Sequence, residues 1–237
     1  MTETETGRIM EETQMRDTRK PESYFTAYIA YEQSRVQKRN EQLLQCNDPA
    51  KEQRICENLF YNQMNLLVAS FSKGAEKAEL TALFESCCLT AQKISALTYE
   101  NALRLVSFAI MLGCTDKFCA VAERFSKVFE KDRLLKGFCS FAVSGKAMWD
   151  GDYRFPEIYG SMEDVLQAKE KAEKEKAVQN YLNGWYERNK ESAWYETLNS
   201  ANDIYYGYWS FESAAVAVIY GLNQEYLAQN AYFPKLQ

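Results

Sequence analysis

Histidine is absent from this 237-residue chain, and that absence limits the chemistry its other side chains can perform. Without imidazole there is no Ser-His or Cys-His nucleophile pair, no HExxH zinc helix, and no side chain that exchanges a proton near neutrality at its ordinary pKa. Seven cysteines remain, at positions Cys46, Cys56, Cys87, Cys88, Cys114, Cys119 and Cys139. A thiolate metal site calls for two closely spaced pairs, and only the adjacent Cys87 and Cys88 and the Cys114 to Cys119 spacing come near it. No metal site and no cofactor are expected. The odd count, without a CxxC pair, reads as reduced thiols packed as small apolar residues in helices. Cys114 or Cys139 as a nucleophile needs a base other than His. Asp and Glu remain available for a carboxylate-dependent hydrolase, yet no GxSxG or glycine-rich phosphate loop accompanies them, and Gly145-Lys146-Ala147 lacks P-loop spacing. A non-enzymatic protein is the stronger reading.

The charge balance narrows the partners. Lys and Arg number 28 against 33 Asp and Glu, a formal charge of -5, which disfavours binding that relies on phosphate neutralisation. The aromatic residues are not interleaved with an Arg/Lys stripe either, so no nucleic acid partner is expected. A basic protein suits an acidic surface better. With 46% hydrophobic and 26% charged residues, the chain has the profile of a globular protein. It contains no run near the roughly 18 apolar residues that span a membrane, and MTETETGRIMEETQM lacks the basic-then-apolar order of a signal peptide. A cytoplasmic protein without membrane partners is the expectation.

Ten glycines and four prolines are too few for the turns of a β-sandwich or barrel, so the elements that position any site are helices. The spacing of apolar residues predicts one from about Pro21, which suits a first turn, to Leu44 and one over 49–73, paired as a hairpin, then others over 75–97, 99–112, 115–130 and 132–148. A further charged helix is predicted from Ser161, whose spacing to Asp164 is that of a capping box, through the Lys/Glu run to about residue 189. Ser210 is placed to cap an apolar helix beginning at Phe211. The sum is an all-α fold, a multi-helix bundle or stacked hairpins of about 8–10 helices, with an aromatic-rich C-terminal subdomain. Residues 1–15 read as a flexible tail, 16–149 as an N-terminal helical domain, 150–160 as a linker holding Asp150-Gly151 and Pro156, and 161–237 as a C-terminal helical domain.

The C-terminal segment is dense in aromatic residues: Trp185, Tyr186, Trp194, Tyr195, Tyr206, Tyr208 and Trp209. Rings packed around the helix at Phe211 are the favoured reading, with an aromatic recognition platform as the alternative. Glu212 sits in the first turn of that helix, where a carboxylate caps or pairs more readily than it catalyses. The run Tyr206-Gly207-Tyr208-Trp209-Ser210-Phe211-Glu212-Ser213-Ala214-Ala215, with the closing Tyr232-Phe233-Pro234, resembles the C-terminal domain of PoNi-type bacterial immunity proteins. Gly184-Trp185-Tyr186 and Trp194-Tyr195 are similar to that family's aromatic pairs. Met15-Arg16-Asp17, Tyr24-Phe25 and Tyr28-Ile29-Ala30-Tyr31-Glu32 resemble its N-terminal domain. The chain departs from the pattern at Lys235, where an acidic or small polar residue usually follows. The resemblance implies a protein that binds and neutralises a cognate nuclease toxin, typically a DNase delivered by a contact-dependent secretion system.

For such an inhibitor, exposed carboxylates facing a basic nuclease are the natural contacts. Asp150, Asp152, Glu157, Glu163 and Asp164, clustered in the linker and at the next helix start, are the toxin-binding candidates. A helical scaffold binding some other protein is the alternative, since the fold by itself does not choose a partner.

Overall fold

The computed structural model describes residues 14–200 and 204–236. It is all-α, as expected, with no strand among the described residues. Eight helices of nine residues or more form the frame among those residues. The expected tail lies outside the described residues except for Gln14 and Met15, and Met15 packs against the core.

The long helices begin and end where local chemistry requires. Helix α1 (Glu22–Leu44) starts just after Pro21 and packs along α2 (Pro49–Lys73). Asp48 caps α2 by accepting from the Ala50 and Lys51 amides, and Pro49 occupies the first turn, where its missing N–H costs nothing. Gly74 closes α2 at φ 108°, a left-handed conformation that a side chain resists. Helix α3 (Lys77–Ala91) is shorter than the predicted 75–97. Helix α4 (Tyr99–Leu112) matches its predicted bounds and is buried on several sides, from Ala102 to Leu112 with Arg104 as the exception. It is the hub of the fold, touching α3, α5 (Thr115–Arg124), α6 (Ser126–Phe129), α7 (Arg133–Ser144) and α12 (Phe211–Ile219). The predicted 115–130 helix is therefore two, broken at Phe125, whose backbone leaves the helical region at φ -109°, ψ 26°.

The largest departure from the predicted elements is the charged stretch after 160. A single helix to about 189 was expected; instead α8 (Pro156–Tyr159), a 3-10 turn (Gly160–Met162) and α9 (Glu163–Gln167) precede α10 (Lys171–Asn183) and α11 (Trp185–Arg188). The chain turns extended at Ala168, ψ 140°, and Glu170 opens α10 through a reciprocal capping box with Glu173. Lys174 Nζ then reaches back to the Val165 and Leu166 carbonyls at 2.8 and 3.4 Å, satisfying the end of α9. The Ser161 hydroxyl, expected to cap, is buried with no hydrogen-bond partner among the described residues. A last short helix, α13 (Gln224–Leu227), packs on α10.

One apolar cluster runs from Phe25 to Phe233 and takes in every helix from α1 to α13. The stretch 150–160 takes part in it, since Tyr153, Phe155 and Ile158 lie against this core and Tyr159 is buried in it. No helix among the described residues is long and apolar enough to cross a membrane.

Candidate functional site

The N-terminal arm is fastened into the C-terminal aromatic segment. The Arg16 and Asp17 amides both donate to the Ser72 carbonyl at the end of α2. Arg16 Nη1 donates to the Phe71 and Ala75 carbonyls at 2.8 and 3.0 Å. Asp17, almost fully buried, accepts from Tyr205 Oη and from the Arg19 guanidinium at 2.7 Å. Tyr205 Oη also lies 2.7 Å from Ser72 Oγ, which accepts from Trp209 Nε1 at 2.9 Å. Arg19 completes the knot by donating to the Tyr208 carbonyl and lying 4.9 Å from the centre of the Trp209 ring. Residues almost two hundred positions apart thus share one buried polar network.

Glu212 is the second buried anchor. Its Oε1 accepts from Tyr181 Oη and Trp185 Nε1, both at 2.7 Å, and from Ser210 Oγ at 2.8 Å. Ser210 therefore spends its hydroxyl on Glu212 rather than on capping α12. Desolvation raises the Glu212 pKa, against which these donors and its own backbone pull it down. Around this carboxylate the rings stack in series: Trp185 on Trp194 at 5.4 Å, Trp194 on Tyr206 at 4.6 Å, and Tyr186 on Tyr195 at 4.5 Å, with Tyr208 edge-on to Trp194. Trp185, Trp194, Tyr208 and Trp209 are buried, and Tyr186, Tyr195 and Tyr206 half-buried.

The five sequence-predicted carboxylates do not form one free patch. Glu163 is half-buried and held by Arg133 through Nε and Nη2 at 2.8 and 2.9 Å, by Tyr153 Oη and by Gln167. Desolvation works against its charge, yet those bonds keep it below the ordinary carboxylate range. Asp150 pairs with Lys136, which lowers its pKa. Asp152, Glu157 and Asp164 are exposed, and Glu157 faces a different space from the others. That space is a groove of about 830 Å³ between α2, α4, the 155–159 segment and the aromatic segment. Glu157, Glu100, Glu191 and Glu212 line it, and so does Arg104, whose guanidinium lies 3.6 Å from the centre of the Tyr206 ring. Glu100 and Glu191 carried no motif in the sequence; only the folding of α4 and residues 185–206 onto one cleft brings them beside Glu157.

Asp132 fixes this region. Buried at the start of α7, it accepts from the Leu135 amide at 2.8 Å and Tyr99 Oη at 3.2 Å through one oxygen, and from the Arg154 amide at 2.8 Å through the other. Asp132→Ala removes a helix cap, leaving the buried Leu135 amide and the half-buried Tyr99 phenol without an acceptor, so it is expected to cost about 2–3 kcal/mol. A lowered urea midpoint at unchanged m value checks this; a shift under about 0.5 kcal/mol denies Asp132 the role.

Burial pushes the thiols of Cys88 and Cys139 up to about 12 and about 11, and raises that of Cys87 well above its ordinary value. Cys139 is thus poorly suited to nucleophilic work near neutrality. No group of three or more Cys, Asp or Glu that could hold a metal ion occurs among the described residues.

The protein is all-helical among the described residues, and its N-terminal arm is joined to its C-terminal aromatic segment through Asp17 and Tyr205. Residues 16–123 match the family model described as PoNe immunity protein (PoNi), N-terminal, and residues 130–236 the model for PoNe immunity proteins (PoNi), C-terminal. The chain belongs to the PoNe immunity protein family, the one its motifs resemble. The crystal structure of protein PA2201 from Pseudomonas aeruginosa has a similar fold, with a TM-score of 0.74 at 15% identity over 94% of this chain and 88% of that one. No curated protein matches the chain.

Proposed function

We propose that this protein is a non-catalytic, cytoplasmic immunity protein that binds and neutralises a cognate nuclease toxin, a DNase delivered by a contact-dependent secretion system. The observation that carries the reading is the match of both halves of the PoNe immunity family across residues 16–236. The acidic balance of the chain is in keeping with it, because a nuclease must present positive charge to its substrate and complementary fields speed association. Inhibition needs no chemistry from this side; occupying or distorting the nuclease's substrate path suffices.

The test is co-expression with a candidate PoNe-type nuclease, sought in the adjacent reading frame, followed by DNA cleavage assays of that nuclease with and without this protein. A stoichiometric complex in which cleavage is abolished is the expected result. A nuclease that cuts at its full rate in molar excess of this protein overturns the reading and leaves a helical scaffold for some other partner.

A further inference from the structure

The groove offers a more specific surface than the linker from which toxin contacts were expected. Four carboxylates, Glu100, Glu157, Glu191 and Glu212, line it against Arg104. Two of these five charges are already engaged. Glu212 accepts three buried hydrogen bonds, and Arg104 lies on the Tyr206 ring with Nη2 donating to the Tyr206 carbonyl at 3.1 Å. The other three, Glu100, Glu157 and Glu191, are exposed and enter no salt bridge among the described residues. At Glu100 desolvation raises the pKa, opposed by the Arg104 charge and a hydrogen bond with Trp194, so a second cation beside it is favoured. Aromatic side chains line the groove along with the carboxylates, and two large apolar lining residues, Tyr61 and Ile204, are 56% and 46% exposed at its lip.

A cleft lined by exposed carboxylates and by aromatic and apolar side chains favours a cation carried on an apolar stem. The ammonium or guanidinium pairs with the carboxylates, while ring quadrupoles and lip side chains take the charge and the methylenes. Asp150 and Glu163, by contrast, already hold their own cations, Lys136 and Arg133. On the immunity reading above, we propose that the groove seats a lysine- or arginine-bearing loop of the partner nuclease, with Glu100, Glu157 and Glu191 as the charged contacts and Tyr61 and Ile204 as the apolar lip. Of the five carboxylates singled out in the sequence, Glu157 alone belongs to this surface. Rim charges act mainly on encounter and on salt dependence, and the lip on residence time.

Calorimetric titration of that candidate PoNe-type nuclease into this protein decides the matter. The triple variant Glu100→Gln/Glu157→Gln/Glu191→Gln is expected to bind about 100-fold more weakly than the parent at low salt, and to lose most of the parent's salt dependence. Asp150→Asn/Asp152→Asn/Asp164→Asn, the linker control, is expected to stay within about 3-fold. Ile204→Asp, a single change at the exposed lip, is expected to weaken binding about 10-fold; it keeps the test valid if the triple variant melts early. Groove variants that fold and bind as tightly as the parent overturn the proposal, as does a loss confined to the linker variant. In both cases parent binding stands and so does the immunity reading. A parent protein that does not bind the nuclease removes the immunity reading itself.

Discussion

Glu212→Ala is expected to lower stability by about 3–5 kcal/mol, a fall of roughly 10 °C or more in melting temperature for a chain of this size. Tyr181, Trp185 and Ser210 are all buried, and each sends a hydrogen bond to the same Glu212 oxygen. Alanine deletes the acceptor and leaves three donors in a dry aromatic core, each costing about 1–3 kcal/mol unless water replaces it. The groove that Glu212 lines is a route by which water could enter. A loss under about 1 kcal/mol would therefore mean that water does so. Glu212→Gln keeps a carbonyl in place and is expected to lose much less than the alanine variant.

The same pair of proteins, parent and glutamine variant, carries a pH signature. Desolvation sets the folded pKa of Glu212 above its unfolded value of about 4.3. Folding thus favours the protonated form, and the contribution of this group is complete below the unfolded pKa and declines as pH rises through the folded one. Glutamine does not titrate. The stability of Glu212→Gln relative to the parent should accordingly improve from about pH 4 upward and level off once the folded carboxyl has ionised. Thermal melts at intervals between about pH 4 and pH 8 read this directly; a constant difference would show that the hydrogen bonds fully offset the desolvation.

How far the sequence speaks depends on the distance over which a feature is decided. The bounds of α2 and α4 are local matters, set by Asp48, Pro49 and Gly74 and by Thr98 and Gly113, and the apolar periodicity finds them without help. Where the determinant lies elsewhere, periodicity misleads. The Lys/Glu run looks continuous to about 189, but Lys174 gains more by reaching the Val165 and Leu166 carbonyls across a break than by staying on a solvated face. Ser210 looks like a cap until Glu212 folds onto it. The motif residues were visible as a family resemblance, whereas their partners were not: Asp17 lies 188 positions from the Tyr205 that binds it. The groove belongs to this second kind. Its rim is assembled from α4, the segment at Glu157 and the turn at Glu191, which share no motif, and the only local hint was a cluster of acids of which one faces the right way.

Gly207→Ala tests whether that long-range assembly is as tight as its geometry implies. Gly207 has φ 85°, where a side chain costs about 1–2 kcal/mol, and a Cβ there would overlap Val68 Cγ1 on the buried face of α2. Val68 is short, β-branched and packed on a helix, so it cannot swing aside as a long flexible chain does. The overlap should add about 1–3 kcal/mol, for a total loss near 3–4 kcal/mol in chemical denaturation. Val68→Ala opens that space at its own cavity cost of about 1–2 kcal/mol. In the double variant the steric part should vanish while the backbone part stays, giving a favourable coupling of about 1–2 kcal/mol. Additive losses would place the penalty in the backbone alone. The consequence extends to binding, because Gly207 separates Tyr206, which stacks on Trp194 and carries Arg104, from Tyr208, whose carbonyl holds Arg19. If a displaced Tyr206 takes the groove wall with it, Gly207→Ala should weaken nuclease binding even at temperatures where the variant is fully folded, and Val68→Ala should restore part of both.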